Sequence, residues 1–136
     1  MSYRYSSRST QRLSTCHPDL VLLFTEALAD PACPSDMSII EGFRGRDRQN
    51  EMKTQGKSQL AWPKSRHNQV PSMAVDAAPY VGGISWDWAY YPPLAKHIKQ
   101  VWERLQAEGR VSPSHRLTWG GDWQSFPDGP HWQLDT

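Results

Sequence analysis

Apolar positions along the chain fall into short clusters separated by polar loops. Leu20, Leu23, Phe24 and Leu28 recur at spacings of three and four, behind Pro18 and ahead of Asp30-Pro31. That pattern predicts a first helix, because proline suits an opening turn and the residue before a proline resists helical geometry. Met37 to Phe43 reads as a short strand, followed by a polar helix over Asp47 to Thr54 that stops near Gly56. Met73 to Ala78 reads as a second strand, closed by Pro79. Leu94, Ile98, Val101, Trp102 and Leu105 make the clearest apolar stripe, a helix from Pro93 to Glu108 with Gly109 at its end. Leu117 to Trp119 and His131 to Leu134 are two final short strands. Residues 56–72 and 79–93 are left as long loops, which in a small domain are usually functional. Residues 1–15 are Arg- and Ser-rich and read as a polar arm on the surface. Segregated strands and about three helices predict an α+β fold with a small antiparallel sheet.

Composition narrows the function classes. The chain has 136 residues, a formal net charge of +1 and a mean hydropathy of −0.71. That describes one domain over 1–136, with no separate cell-wall-binding domain expected. Charge so close to zero argues against a chain that coats nucleic acid or anionic lipid. No window approaches the roughly 18 to 20 apolar residues of a membrane span, so no membrane insertion is expected. Arg4, Arg8 and Arg12 are followed by no apolar stretch of the secretory type, which predicts synthesis in a cytoplasm without an export signal. Cys16 and Cys33 lie outside any CxxC pair and are expected as reduced, partly buried thiols. Seven Trp and eleven Pro point to a loop-rich fold with bulky aromatics in its core or its binding surface.

Candidate chemistry concentrates at loop–strand junctions. His67 lies in the long polar loop, Asp76 follows the small residues Ala74-Val75, and His131 opens the last strand behind Asp128-Gly129-Pro130. Two imidazoles and one carboxylate are a normal ligand set for catalytic zinc, leaving a fourth position for water. The Gly-Pro turn can aim Asp128 and His131 at one small volume, which suits Asp128 as a base. Spacing alone leaves a second reading open, in which these are hydrogen-bonded polar residues with no metal. His97 reads as a helix-packing or solvated residue, and His17 as a local turn or capping contact before the first helix. Trp102 belongs to the core. Trp119, Trp123 and Trp132 surround the proposed site, and Trp62, Trp86 and Trp88 lie in loops where packing and groove lining are both open.

Four ordered motifs add a family resemblance. Gly42-Phe43-Arg44 followed by Gln49, Ser65-Arg66-His67 leading to Ala74-Val75-Asp76, then WGGDW at Trp119 to Trp123 and DGPH at Asp128 to His131 span almost the whole chain. In that order they resemble the zinc peptidases that include D-alanyl-D-alanine carboxypeptidases and dipeptidases, and most of all the phage L-alanyl-D-glutamate endopeptidases, which are endolysins. The resemblance implies the carboxypeptidase- and hedgehog-like α+β fold. It implies Zn2+ held by His67, Asp76 and His131, with Asp128 as general base and Arg44 steadying the substrate carbonyl and its oxyanion. It makes Ser65 a substrate contact or a residue that orients the site, Gln49 a substrate contact or a structural residue, and Asp122 an outer partner or turn residue; Trp123, beside the proposed site, is a further candidate substrate contact or packing residue. Eight residues separate His67 from Asp76, two more than in many members, and Ser72 stands where they have glycine, so an extra bulge in the loop is expected.

The resemblance implies hydrolysis of the L-Ala–D-Glu bond of peptidoglycan stem peptides by a monomer. It would be made in the host cytoplasm and reach the wall after a holin opens the membrane. The alternatives are a D-Ala-D-Ala carboxypeptidase of the same fold and a metal-free wall-binding or virion protein. A nucleic-acid-binding module is disfavoured by the charge.

Overall fold

The computed structural model describes residues 3–136, in which two long helices cover one face of a four-stranded antiparallel sheet and two shorter helices flank it. In chain order these are α1 (Ser7–Leu13), α2 (Pro18–Ala29), β1 (Asp36–Glu41), α3 (Arg46–Thr54), β2 (Ala74–Tyr80), α4 (Tyr91–Ala107), β3 (Arg116–Trp119) and β4 (His131–Asp135). The sheet order is β1-β2-β4-β3. Short 3-10 turns occur at Arg66–Asn68, Trp88–Tyr90 and Gly120–Asp122.

Each predicted element is present, with boundaries moved by a few residues. The polar arm is the correction: Ser7–Leu13 of it forms helix α1, whose Ser9 and Leu13 are buried, while residues 1–2 of the arm lie outside the described residues. Its composition has a physical cause. β1 is an edge strand, and α1 satisfies its free backbone groups with side chains. Ser9 Oγ accepts from Ile39 N at 2.9 Å, and Arg12 Nη1 donates to Ile39 O at 3.1 Å. A helix that hydrogen-bonds a sheet edge needs polar residues and shows no apolar stripe. α4 begins two residues before the predicted start, because Pro92 and Pro93 both fit a first turn whose N–H groups need no partner. β2 runs through Pro79 instead of stopping before it. β4 pairs only with Ala74, Val75 and Asp76, so the Pro79 nitrogen faces no ladder partner.

The sheet has one core face and one cleft face. Val75 and Ala77 of β2, and Trp132 and Leu134 of β4, pack inward with Leu20, Leu23, Phe24, Ile98, Val101 and Leu105 of α2 and α4. Strict alternation then sends Asp76, His131 and Gln133 to the other face. His97 is buried and holds the two long helices together through Ala27 O at 2.9 Å. Both cysteines are free and buried, and burial pushes the Cys16 thiol up to about 12. No helix among the described residues is long and apolar enough to cross a membrane.

Candidate metal centre and cleft

Strand register assembles the site. Asp76 of β2 is the direct cross-strand partner of His131 on β4 and of Glu41 on β1. Glu41 reaches that row because the register shifts between Ile39 and Glu41. The bulge moves Glu41 off the core face that Ile39 occupies. His67 comes from outside the sheet, on the 3-10 turn Arg66–Asn68. Ser65 Oγ caps that turn by accepting from His67 N at 3.2 Å, and Asn68 Oδ1 accepts in return from Ser65 N. Arg44 N donates to His67 O at 2.8 Å, which ties the turn to the segment after β1. In the loop before Asp76, Val70 is 83% exposed, while Met73 N closes the loop onto Arg66 O at 3.1 Å.

Three donor atoms converge. His67 Nε2 lies 3.2 Å from Asp76 Oδ1 and 3.3 Å from His131 Nδ1, and His131 Nδ1 lies 3.4 Å from Asp76 Oδ1. A tetrahedral ion with bonds of about 2.0–2.1 Å separates its ligand atoms by about 3.3–3.4 Å. The outer ring nitrogens are already committed as donors. His67 Nδ1 gives its proton to Gly42 O at 2.8 Å. His131 Nε2 gives its proton to Gln133 Oε1 at 2.8 Å, and Gln133 is oriented by donating Nε2 to Asp135 Oδ1 at 2.9 Å. In their neutral tautomers the rings then turn two lone pairs, beside a carboxylate oxygen, toward one point. Such an arrangement calls for a cation, and the residues present fit one.

Without a cation, the three side chains are strongly coupled to one another. Burial alone would raise the Asp76 carboxyl, but His67 and His131 hold it well below the usual carboxylate range. Burial likewise opposes charge on His131, yet Asp76, with Gln133 and Asp128, raises its imidazole above the usual value. Asp128 differs: burial, then the charge of Asp76, raises its carboxyl, against the pull of His131, His67 and Arg44.

The group forms the floor of a cleft of about 920 Å³, which Arg44, Ser65, Trp123 and Asp128 also line. Arg44 is 4% exposed and makes four donor contacts: two to Glu41 Oε1 at 2.7 and 3.0 Å, one to Gln49 Oε1 at 3.0 Å and one to Asp76 Oδ2 at 3.4 Å. It thus holds the Asp76 oxygen that does not face the histidines. The Trp123 ring lies 5.1 Å from the His131 ring, tilted by 39°. The turn behind His131 is braced by Trp119 Nε1, which donates to Gly129 O at 2.7 Å. Trp119 is itself stacked between Trp88 and Trp132.

Gln49 stands apart from the other expected substrate contacts. It is fully buried and lies outside the cleft lining. Its Oε1 accepts from Arg44 and Asn68, and its Nε2 donates to Ser58 Oγ and Leu60 O. Its amide is saturated by the protein, so it positions and does not touch ligand. Asp122 is no outer partner of the centre, since it pairs with Lys99 at 2.6 Å on the surface. A second cluster, His17, Asp19 and His115, is satisfied internally. His17 Nδ1 caps α2 by accepting from Asp19 N, and Asp19 Oδ2 accepts from Ser112 N and His115 Nδ1.

Glu41 and Gln133 escaped the sequence reading. Gln133 was legible, because positions i and i+2 of a strand share a face with His131. Glu41 was not, because the bulge breaks the alternation that would have placed it.

Comparisons with known proteins identify the family. A family model described as phage L-alanyl-D-glutamate peptidase matches residues 1–133. The peptidoglycan L-alanyl-D-glutamate endopeptidase CwlK of Bacillus subtilis (strain 168) is 30% identical over 108 residues, 73% of this chain and 60% of that protein. The matched part thus spans about three fifths of the length of that curated relative. The crystal structure of the Serratia marcescens L-Ala D-Glu endopeptidase ChiX superposes with a TM-score of 0.75 at 34% identity, over 97% of this chain and 90% of that one. The chain belongs to the phage L-alanyl-D-glutamate peptidase family.

Proposed function

We propose that the chain is a zinc-dependent endopeptidase that cuts the L-Ala–D-Glu bond of peptidoglycan stem peptides and acts as a monomer in host lysis. On this reading it is made in the host cytoplasm and meets the wall after a holin opens the membrane. The observation that carries the proposal is the convergence of three potential ligand atoms at 3.2–3.4 Å from one another. His67, Asp76 and His131 would hold the ion. When bound there, zinc supplies Lewis-acid activation of a water nucleophile and of the scissile carbonyl. Asp128 takes the water proton and returns it to the leaving amine of D-glutamate. Arg44 keeps Asp76 in place and sets a positive charge beside the carbonyl oxygen that gains charge. Trp123 and Ser65 shape the cleft around the substrate chain, and Gln49 holds the wall from behind.

Digestion of purified peptidoglycan followed by mass spectrometry tests the assignment. New D-Glu N-termini are the expected result, and release of free D-Ala in their place would assign the chain to the carboxypeptidases.

Two substitutions probe the supports of the centre. Gln133→Leu removes the acceptor that fixes the His131 tautomer, and zinc affinity should drop about 10- to 100-fold in a chelator competition. Gly120 lies against the Asp128 turn, where an added Cβ would stand 2.5 Å from Asp128 O and 3.0 Å from His131 Cβ. Gly120→Ala should displace Asp128 and lower kcat about 100-fold, the cost of a misplacement near 1 Å. Steady-state kinetics at full zinc occupancy would show it.

A further inference from the structure

Charge around the cleft is unevenly compensated. The segments attached to β1 bring Arg48, Lys57, Lys64 and Arg66 to its lining, and the segments before α4 and β4 bring Trp86, Trp123 and Phe126. Arg44 also lines the cleft, and three of these five cations are neutralised within the protein. Arg44 faces Glu41 and Asp76. Arg48 faces Glu41 at 3.4 Å and Glu51 at 3.6 Å, and Arg66 faces Asp135 at 3.2 Å. Lys57 and Lys64 enter no ion pair among the described residues. Both are exposed, and both line the cleft that holds the donor group.

The segment that carries them is fastened at several points. Lys57 N donates to Met52 O at 2.9 Å and Lys64 N to Ala61 O at 2.9 Å. Between them, Gln49 Nε2 grips Ser58 Oγ and Leu60 O, and Asn50 Oδ1 accepts from Trp62 N. The saturated amide of Gln49 thus has a purpose at a distance: it fixes the wall on which the two lysines stand.

We infer that Lys57 and Lys64 are specificity-determining residues that select stem peptides with a free carboxylate on the glutamate side of the scissile bond. The inference rests on the peptidase reading above and adds to it a charge preference. D-Glutamate joined onward through its side-chain carboxyl keeps its α-carboxylate next to the cut. A carboxamide at that position is isosteric and uncharged. Two unpaired ammonium groups at the wall of the cleft favour the anion, and Lys provides point charges that need no fixed geometry.

Two synthetic stem peptides that differ only in carboxylate or carboxamide at the D-glutamate α-position test this. The wild-type chain should cleave the carboxylate peptide with a kcat/KM about 3- to 10-fold higher, the size expected of two exposed charge contacts. The ratio should fall to near one in Lys57→Gln/Lys64→Gln, with the change in KM, and persist in Lys57→Arg/Lys64→Arg, which keeps the charge. A wild-type ratio of one, or a ratio unchanged by the Gln pair, overturns the selectivity and leaves the peptidase reading standing. Cleavage of neither peptide at the L-Ala–D-Glu bond overturns both.

Discussion

His67→Ala yields a chain that purifies without zinc and turns over stem peptides more than about 1,000-fold more slowly than the wild type. One lost oxyanion donor in a typical active site removes up to about that factor, and this substitution removes the Lewis acid itself. The geometry explains why no neighbour substitutes. His67 is 1% exposed, its Nδ1 is bound to Gly42 O, and the other two donor atoms sit on strands whose register fixes them. Zinc content by elemental analysis and turnover of a stem peptide are the two readouts. A third is thermal. A ligand that binds only the folded chain stabilises it by mass action, so a chelator should lower the wild-type Tm and leave that of His67→Ala unchanged. A variant that kept one zinc per chain would remove His67 from the ligand set.

Asp128→Asn has the second largest effect, with kcat lower by about 100- to 10,000-fold, the range for loss of a general base. Zinc content should stay at the wild-type level, because Asp128 is outside the converging group. Asparagine keeps the shape of the side chain, and Asp128 contacts Gly120 O and His131 N through its backbone. The pH profile gives an independent sign. Only the ionised carboxylate accepts a proton, so wild-type kcat/KM should fall as pH drops through the Asp128 pKa. Burial, then the Asp76 charge, raises that pKa, which moves the acid limb above the ordinary carboxylate value of about 3.9. The residual activity of the Asn variant should lack this limb. A full acid limb in the variant would assign the titration to another group.

The four motifs were legible because each is a local arrangement of chain chemistry. DGPH makes its own turn, and Ser65-Arg66-His67 caps its own 3-10 turn. The long helices were legible from apolar spacing, since α2 and α4 bury one stripe each. α1 was missed for the opposite reason: its inward face meets backbone groups of β1, and polar side chains meet that demand. Gln49 shows the limit at a single residue. Its match to a family position named the residue, but only packing shows that its amide is used up on Arg44, Asn68, Ser58 and Leu60.

The sequence by itself determined the fold class, the identity of the converging residues and the family, because hydrophobic period and ordered short motifs are written in one dimension. Tertiary structure decided how those residues meet. The pairing of Asp76 with His131 is a matter of strand register, and the turn of Glu41 into the same row is a matter of one bulge. The commitment of the outer His67 ring nitrogen to Gly42 is a matter of a neighbour brought from 25 positions away. Donor distances of 3.2–3.4 Å arise only when separate strands and a turn are locked together, and no spacing along the chain encodes that distance.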